Sequence, residues 1–222
     1  MTDAYRPAPR RTHRLIPSRF PAIGLFDTVA TAADLEAVME LAGWTNDRLV
    51  AERITRLPQA EWVYGRPNAS IVMAAFLHVG PEGGRFNGPE LGAWYASAGL
   101  VTAAVEVAHH MRREAVARGV AAMVRQFRQY PARLLGAYLD IRGQQAAMAA
   151  VYAPDSHAAS QLLGEELRAA GRPGIMYDSV RHAGGVNIAV LRPRHVADVV
   201  QADHFEITVS ATDRRIEVRR LQ

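Results

Sequence analysis

The sequence has no cysteine and no lysine among its 222 residues. Without cysteine, the protein cannot use disulfides, a thiolate nucleophile or a cysteine-based zinc site. Without lysine, all 26 basic residues are arginine, so Schiff-base chemistry and the phosphate-binding lysine of a P-loop are also excluded. A GC-rich genome is sufficient to explain the exclusive use of arginine, so this bias does not by itself indicate a function.

Long apolar runs are missing too, because none approaches the roughly 18 residues needed to cross a bilayer. The N-terminus is rich in arginine and proline where a signal peptide would be apolar. We therefore expect no membrane association and a cytoplasmic location. The hydrophobic fraction of 49% is ordinary for a globular protein, and the length suits one substantial core better than two domains.

The net charge of +4 is concentrated near the N-terminus, where the first twenty residues carry five arginines against one aspartate. A protein that binds nucleic acid generally needs a basic face, and the rest of the sequence is close to neutral. Direct nucleic-acid binding is therefore not expected. We interpret residues 1–11 as a flexible basic lead-in and residues 12–222 as a single domain.

Strand-like and helix-like segments follow one another irregularly, which favours the α+β class over a doubly wound sheet. The most regular segment is a helix predicted over 101–118, because its apolar residues recur at helical spacing and Gly119 follows it. Another helix is predicted from Asp155, as its N-cap, to residue 170. The segment 69–79 fits either a strand or a helix. Strands are predicted at 12–26, 93–96, 123–129, 133–140 and 186–191, with a break at Tyr130-Pro131 and a closing hairpin at 205–209 and 214–221.

Two short helices are predicted between the first strand and residue 69. The first covers 32–41, with Thr31 as its N-cap and Asp34 in the capping-box position. The second covers 47–57. Together with the loop that follows, they indicate an insertion of about residues 28–66 that covers one side of the domain.

The stretch from Gly83 to Glu106 organises the functional interpretation. The paired glycines Gly83 and Gly84 allow unusual backbone conformations and a close approach by a ligand. Arg85 follows them, and its planar guanidinium can bind a phosphate or carboxylate through two parallel hydrogen bonds. Tyr95 lies on a short predicted strand and Glu106 on the long helix. Each of these residues alone has an ordinary structural explanation, so only their combination indicates a site.

Three other kinds of site find little support. Glu106 and His109 have the spacing of a di-iron motif, but that architecture needs a second copy, which the sequence lacks. Ser179 is not in the Gly-x-Ser-x-Gly context that exposes a hydrolase nucleophile. The glycine-rich strings of dinucleotide-binding and Walker loops are missing as well. We therefore expect no bound metal.

The remaining set of an arginine, a tyrosine, a glutamate and a serine suits cleavage of an N-glycosidic bond in a phosphorylated nucleotide. Such cleavage builds positive charge on the ribose carbon, so a fixed carboxylate stabilises the transition state more than the ground state. Glu106 would supply that carboxylate. Arginines would hold the pyrophosphate, an aromatic ring would stack on the leaving base, and a hydroxyl would position the ribose or its acceptor.

The motifs at 83–87 (Gly-Gly-Arg-Phe-Asn), 94–97 (Trp-Tyr-Ala-Ser) and 177–182 (Tyr-Asp-Ser-Val-Arg-His), together with Glu106, resemble the RES domain, which is named for its Arg, Glu and Ser. The resemblance implies a fold similar to that of ADP-ribosyltransferases, with a mixed sheet. It implies NAD as the substrate, consumed by phosphorolysis, by hydrolysis or by transfer of ADP-ribose to a protein. It also implies a toxin whose partner is an antitoxin with an Xre-type helix-turn-helix.

By the same resemblance, Arg85, Tyr95, Glu106 and Ser179 are the candidate catalytic residues. Arg85 and Tyr95 would also bind NAD, with Tyr95 on the nicotinamide side. Arg14 would contact the pyrophosphate, although Arg19 competes with it for that role.

The chain departs from compact members of the family at several positions. The inserted helices lengthen the segment between Arg14 and Arg85, Phe86 stands where tryptophan is common, and Asn187 stands where cysteine is often found. The acceptor and the choice between a monomer and a homodimer stay open. An alternative of another class is a non-catalytic module whose pocket only binds a nucleotide or a partner.

Overall fold

A computed structural model describes residues 4–20, 24, 26–31, 33–34 and 48–222, and for 48–51 it describes the backbone alone. This part of the chain contains ten strands and four α-helices. The strands are β1 (Tyr5–Pro7), β2 (Thr12–Pro17), β3 (Trp94–Ser97), β4 (Ala122–Leu134), β5 (Ala137–Asp140), β6 (Gly174–Asp178), β7 (Val186–Val190), β8 (Val196–Ala197), β9 (His204–Ser210) and β10 (Ile216–Leu221). The helices are α1 (Arg48–Thr55), α2 (Ala69–Leu77), α3 (Leu100–Ala117) and α4 (Ala158–Ala169), and two 3-10 turns lie at Gln59–Glu61 and Pro193–His195.

The strands form one sheet in the order β1-β5-β6-β7-β3-β2-β4-β9-β10, and the short β8 pairs with β4. Neighbouring strands are antiparallel except β5 and β6, which run parallel. The prediction of an α+β domain built on a single mixed sheet is therefore confirmed.

Helices cover both faces of this sheet. Side chains alternate between the faces along each strand, and β2 shows this directly, since Leu15 and Ile16 pack into different clusters. The cluster on one face, which we call the α2 face, includes Phe76 of α2 and Trp94 of β3. The clusters on the opposite α3–α4 face include Ala108 of α3 and Leu167 of α4.

Helix α3 matches its predicted bounds almost to the residue. Small and apolar side chains at helical spacing face β2, β4 and β9 and are buried there, as Ala104, Ala108 and Met111 are. Gly119 follows the helix with φ +66°, the left-handed conformation that favours glycine at a helix end. The segment left ambiguous by the sequence is helix α2, whose residues are nearly all buried, so its apolar pattern has no polar side to reveal a helical period.

Helix α1 and the 3-10 turn that follows it are bound to the rest of the domain by charged side chains. The guanidinium of Arg53 donates hydrogen bonds to the carbonyls of Leu77 (2.7 Å), Val79 (3.2 Å) and Pro89 (3.3 Å). Glu61, which is only 1% exposed, lies 2.5 Å from Nη2 of Arg192 and 3.1 Å from Nε of Arg194. Charged side chains thus join α1 to the segment that follows α2, and the turn at Gln59–Glu61 to the segment that follows β7.

The first predicted helix of the insertion, over 32–41, falls mostly outside the described residues. Its predicted N-terminal capping box is present. The hydroxyl and the backbone N–H of Thr31 both donate to the carboxylate of Asp34, and the N–H of Asp34 donates to the hydroxyl of Thr31.

The strand predicted over 12–26 ends at Pro17, and the one predicted over 133–140 is divided between β4 and β5. Three further expectations about secondary structure are corrected. The lead-in of residues 1–11 is not flexible throughout, because Tyr5–Pro7 pairs with β5 and Asp140 N–H donates to the carbonyl of Ala4. Residues 1–3 lie outside the described residues. Helix α4 begins at Ala158 rather than after Asp155, and its first hydrogen bond runs from Gln161 N–H to the carbonyl of His157.

The predicted break at Tyr130-Pro131 is the third correction, since β4 runs through it without interruption. At Pro131 the neighbour of β4 changes from β9 to β8, and an irregular segment lies between them. That segment donates the N–H of Val200 to the carbonyl of Pro131 at 3.1 Å. The N–H that proline lacks would face this same gap, so no regular ladder bond is lost.

Within the described residues, no helix combines the length and the apolar character that a membrane-spanning helix requires.

Candidate active site

The candidate site lies where three neighbouring strands meet at one register. Ser97 at the end of β3 is opposite Asn187 near the start of β7, and Asn187 is opposite Tyr177 near the end of β6. The chain passes from the end of β3 into α3 within three residues, so Glu106 of α3 lies close to these paired residues. The chain leaves β6 directly into Ser179. The topology therefore brings residues distant in sequence to one place on the α3–α4 face.

The carboxylate of Glu106 is the centre of this arrangement. Its Oε1 accepts hydrogen bonds from the hydroxyl of Ser179 and from Nδ2 of Asn187, both at 2.7 Å. Its Oε2 accepts one from Nη1 of Arg181 at 3.1 Å. The side chain keeps 20% of its surface exposed. Three donors thus fix the carboxylate while leaving part of it accessible.

Ser179 is held by its own turn. Its hydroxyl oxygen accepts hydrogen bonds from the backbone N–H groups of Arg181 (3.2 Å) and His182 (3.0 Å) while it donates to Glu106. The turn closes through a bond from Ser179 N–H to the carbonyl of Gly185. These partners are a carboxylate and backbone amides, so the hydroxyl is arranged to position Glu106 and not to attack as the serine of a hydrolase triad.

Asn187 is oriented by Ser97. The hydroxyl of Ser97 donates to Oδ1 of Asn187 at 2.6 Å, which leaves Nδ2 to face Glu106. Both Ser97 and Asn187 are buried, with 3% and 4% of their surface exposed. The amide is therefore fixed in the one orientation in which it donates to the carboxylate.

The glycine-rich loop carries Arg85, but the structure corrects the expectation that the glycines present this side chain to a ligand, because it is packed and only 7% exposed. Its Nη1 donates to the carbonyls of Val151 and Ala153, each at 3.1 Å, whereas Nη2 is buried with no hydrogen-bond partner. Burial lowers the pKa of Arg85, and the charge of nearby Arg181 lowers it further, while Tyr177 and Glu106 raise it. Arg85 therefore lies within electrostatic range of the Glu106 carboxylate.

Tyr95 holds the loop that carries Arg85. Its hydroxyl donates to Oδ1 of Asn87 and accepts from the N–H of Phe86, both at 2.8 Å. A Cβ at Gly84 would lie 2.7 Å from that hydroxyl oxygen, so only glycine fits there. Burial raises the pKa of Tyr95. The phenol is thus a neutral donor that fixes the loop.

The structure separates Arg14 from these residues. Alternation along β2 puts Arg14 on the same side as Ile16, on the α2 face, and its guanidinium lies 4.9 Å from the ring centre of Trp94. Its Nη1 donates to the backbone carbonyl of Tyr95 at 3.0 Å. Strands β2 and β3 pair at a single register position, His13 with Ser97. Burial lowers the pKa of Arg14 to about 10. Arg14 therefore has a structural place between diverging strands. Its competitor Arg19 is exposed and stacks on Phe20.

Histidines and arginines border the site along α3 and the start of α4. His109 is the most strongly affected, since its pKa is lowered to about 4 by burial and by the neighbouring charges of Arg181 and His110, against the opposing effect of Glu106. The pKa values of His110 and His157 are lowered as well, mainly by burial. At neutral pH the histidines of this border are therefore uncharged, whereas its arginines are positively charged.

The low pKa of His109 predicts a measurable effect on stability. In the folded protein this ring stays neutral, whereas in the unfolded chain it is protonated below its ordinary value of 6.5. Stability is therefore lost as the pH falls from about 6.5 towards 4. We expect His109→Gln to lose less stability than the wild type between pH 7 and pH 4.5, by about 1–2 kcal/mol once partial exposure is taken into account.

Urea unfolding of both proteins at the two pH values measures this difference. The exposed His204 provides the matched control, and His204→Gln should follow the wild type. Parallel loss of stability in His109→Gln and the wild type would contradict the assignment.

Two residues of the site were not predicted as functional. Arg181 follows Ser179 by two positions within the quoted motif, and Asn187 was noted only as a departure from a common cysteine. The paired Gly184-Gly185 was a signal, because a tight turn there returns β7 alongside β6 and brings Asn187 to the carboxylate. No sequence pattern indicated which side chains the turn would orient inwards.

Among the described residues, histidine and carboxylate side chains form no group of three or more that could hold a metal ion. A surface cleft of about 420 Å³ lies elsewhere, at the turn after β2, and is lined by Pro17, Ser18, Arg19, Arg125 and Gln126. None of these residues contacts Glu106 or Ser179 through the hydrogen bonds described above.

The family model of the RES domain matches residues 53–210 of this chain. The structure is also similar to a chain in the crystal structure of the M. tuberculosis MbcT–MbcA toxin–antitoxin complex, with a TM-score of 0.46 and 13% sequence identity, over 89% of this chain and 86% of that chain. At that TM-score, the structural likeness adds no weight to the family match. A search of curated proteins finds no match.

Proposed function

This chain belongs to the RES domain family, and we propose that it cleaves the nicotinamide–ribose bond of NAD, with phosphate or water as the acceptor. The observation that supports this most directly is the Glu106 carboxylate, which is fixed by three donors and partly accessible. Guanidinium nitrogens of two nearby arginines are buried without partners, namely Nη2 of Arg85 and Nε of Arg181. Buried unpaired donors are costly, and an anionic ligand would satisfy them.

The proposed reaction needs no general acid. When the C–N bond to the ribose breaks, the pyridinium nitrogen takes the electron pair and leaves as neutral nicotinamide. Positive charge develops on the ribose carbon, which the carboxylate of Glu106 stabilises from a preorganised position. An oxygen of phosphate or water then forms the new bond to that carbon, and when water is the acceptor its proton is released to solvent.

Each remaining residue has a proposed part in this reaction. Arg85, together with Arg181, would bind the pyrophosphate, and Tyr95 would keep the loop of Arg85 in place beside the nicotinamide. Ser179 and Asn187 would hold Glu106 in its orientation. Arg14 keeps its predicted contact with the pyrophosphate only if its side chain leaves the α2 face, so we assign that contact to Arg85 first.

The biological role that we propose is that of a toxin whose NAD-consuming activity is neutralised by a cognate antitoxin of the Xre helix-turn-helix type. This proposal rests on membership of the family and on the family resemblance, and it includes a cytoplasmic location because the substrate is there. Expression in a bacterial host, alone and together with a candidate Xre-type helix-turn-helix antitoxin, tests the role. Growth arrest only in the absence of that protein is the expected result, and equal growth in both would contradict it.

The enzymatic proposal is tested with purified protein, NAD and inorganic phosphate, by measuring released nicotinamide and remaining NAD. Parallel reactions without phosphate separate phosphorolysis from hydrolysis. NAD labelled in the adenylate moiety separates both from ADP-ribosyl transfer, since transfer leaves label on a protein of a lysate. NAD that stays intact in every reaction would overturn the proposal and favour a non-catalytic binding module.

A further inference from the structure

One face of α4 runs along the loop that presents Arg85. Gln161, Glu165 and Arg168 are spaced by four and three residues, so they lie on the same side of the helix. All three are partly buried, and all three contact the loop of residues 82–92. This loop contains the two glycines before Arg85 and ends next to β3.

The contacts go to the backbone of the loop and are spread over its length. Gln161 Nε2 donates to the carbonyls of Glu82 (2.8 Å) and Gly84 (3.0 Å). The middle and the end of the loop are bound by the next two side chains, with Gly88 N–H donating to Glu165 Oε1 at 3.0 Å and Arg168 Nη2 donating to the carbonyls of Leu91 (3.3 Å) and Gly92 (2.8 Å).

The helix backbone itself also touches the loop. A Cβ at Gly164 would lie 1.9 Å from the carbonyl oxygen of Phe86, so glycine is required for this approach. Glu165 and Arg168 are joined by an ion pair of 3.1 Å, and Arg168 Nη1 donates to the carbonyl of Leu191 beyond the end of β7. Helix α4 therefore contacts both the loop and the chain next to β7.

The loop needs such support. Gly83 adopts φ +69°, and glycines lose more conformational freedom on folding than other residues. Within the loop, Gly84 N–H donates to the carbonyl of Asn87, and the hydroxyl of Tyr95 binds Phe86 and Asn87. The α4 contacts lie on both sides of Arg85 in sequence, at residues 82 and 84 before it and at 88, 91 and 92 after it.

We propose that Gln161 and Glu165 are positioning residues that fix Arg85 for anion binding by holding the backbone of its loop. This inference rests on the proposed function for its effect on catalysis, but not for its effect on the loop. Because Arg85 would bind the pyrophosphate alike in the ground state and the transition state, a displaced Arg85 raises KM and leaves kcat nearly unchanged. A purely stabilising role would instead lower the fraction of folded enzyme, and with it kcat.

The test compares Gln161→Met, Glu165→Met and their combination with the wild type. Methionine keeps the length and the apolar stem and removes the hydrogen bonds. Glu165→Gln keeps an acceptor for Gly88 N–H and serves as the conservative variant. Glu166 is the adjacent, exposed glutamate, and Glu166→Met is the matched control.

The first measurement is amide hydrogen exchange of peptides covering 82–92, without any ligand. We expect exchange in this loop to be about tenfold faster in the double variant, with peptides of β4 and β9 unchanged. The second measurement is the kinetics of NAD consumption. We expect KM for NAD to rise about tenfold in the double variant, with kcat within about threefold of the wild type, and Glu165→Gln and Glu166→Met to behave as the wild type.

The outcomes separate the two proposals. Loop exchange equal to that of the wild type, or an unchanged KM in an active enzyme, would overturn the positioning role. A fall in kcat at constant KM would overturn it in favour of a purely structural role. A wild-type protein that leaves NAD intact would overturn the proposed function, and the exchange measurement would still decide whether α4 fixes the loop.

Discussion

Replacement of Glu106 by glutamine is expected to lower kcat for NAD cleavage by about 10²–10⁴-fold, which is the scale of losing one essential charged group in an active site. Glutamine has nearly the same shape, but it lacks the negative charge that stabilises the developing charge on the ribose. It also presents an amide NH₂ to a site where all three contacts of Glu106 come from donors. At least one of those donors must therefore lose its acceptor.

The matched control lies on the same helix. Glu114 pairs with Arg125 through two hydrogen bonds of 2.6 Å and 2.5 Å and with Arg118 at 2.7 Å, so Glu114→Gln also removes a carboxylate that is bound by arginine. We expect it to keep nearly full kcat. Circular dichroism and thermal unfolding of both variants establish that they are folded. A folded Glu106→Gln protein with kcat within tenfold of the wild type would contradict the role given to Glu106.

The second large effect is expected from Asn187→Asp, which puts a carboxyl group where an amide now donates to Glu106 Oε1 at 2.7 Å. The site is 4% exposed, and two carboxylates at that distance cannot both be charged without a large cost. The pKa of the introduced carboxyl is therefore raised in the folded protein. We expect a loss of about 2–4 kcal/mol at pH 7.5 relative to the wild type, or roughly 10 °C in Tm for a chain of this size.

The direction of the pH effect follows from the raised pKa. Below about pH 4 the introduced carboxyl is protonated in both states, and as an O–H donor it can replace the amide. Stability is lost as the pH rises through the raised pKa of the folded state. The deficit relative to the wild type should therefore grow from pH 4 to pH 8, opposite to the effect at His109.

Asn187→Ala separates charge from hydrogen bonding. It removes the donor to Glu106 and adds no ionisable group, so its deficit should not vary with pH across this range. Thermal unfolding at intervals of one pH unit measures all three proteins. A deficit of Asn187→Asp that is constant with pH would mean that the two side chains are not in contact.

Several parts of the fold could be predicted because they depend on local pattern. Helix α3 has regular apolar spacing and a glycine after its end, and the closing hairpin alternates apolar and polar residues around a turn. Pro131 misled the prediction, since its effect depends on the neighbour that β4 has at that position. Helix α2 is buried on all sides, so it has no period in its hydrophobicity to distinguish it from a strand.

The site residues likewise include some whose place the sequence predicted and one whose place only the structure shows. Glu106 and Ser179 were both chosen from the sequence, and the structure joins them by a hydrogen bond. Arg85 and Tyr95 are joined as well, since the hydroxyl of Tyr95 on β3 binds the loop that carries Arg85. Arg14 was chosen by its place in a motif, but alternation along β2 and the divergence of β2 from β3 put it on the opposite face.

The sequence by itself determined the chemical groups, the family and the local elements, because residue type, hydrophobic period and turn glycines act over a few neighbouring residues. Tertiary structure alone decided which face Arg14 occupies, which donors surround Glu106, and that α4 holds the loop of Arg85. Those outcomes depend on strand order and register, which join residues 70 to 80 positions apart, as Ser179 and Glu106 are. The free energy of such contacts arises only after the sheet has formed, so no short stretch of sequence contains it.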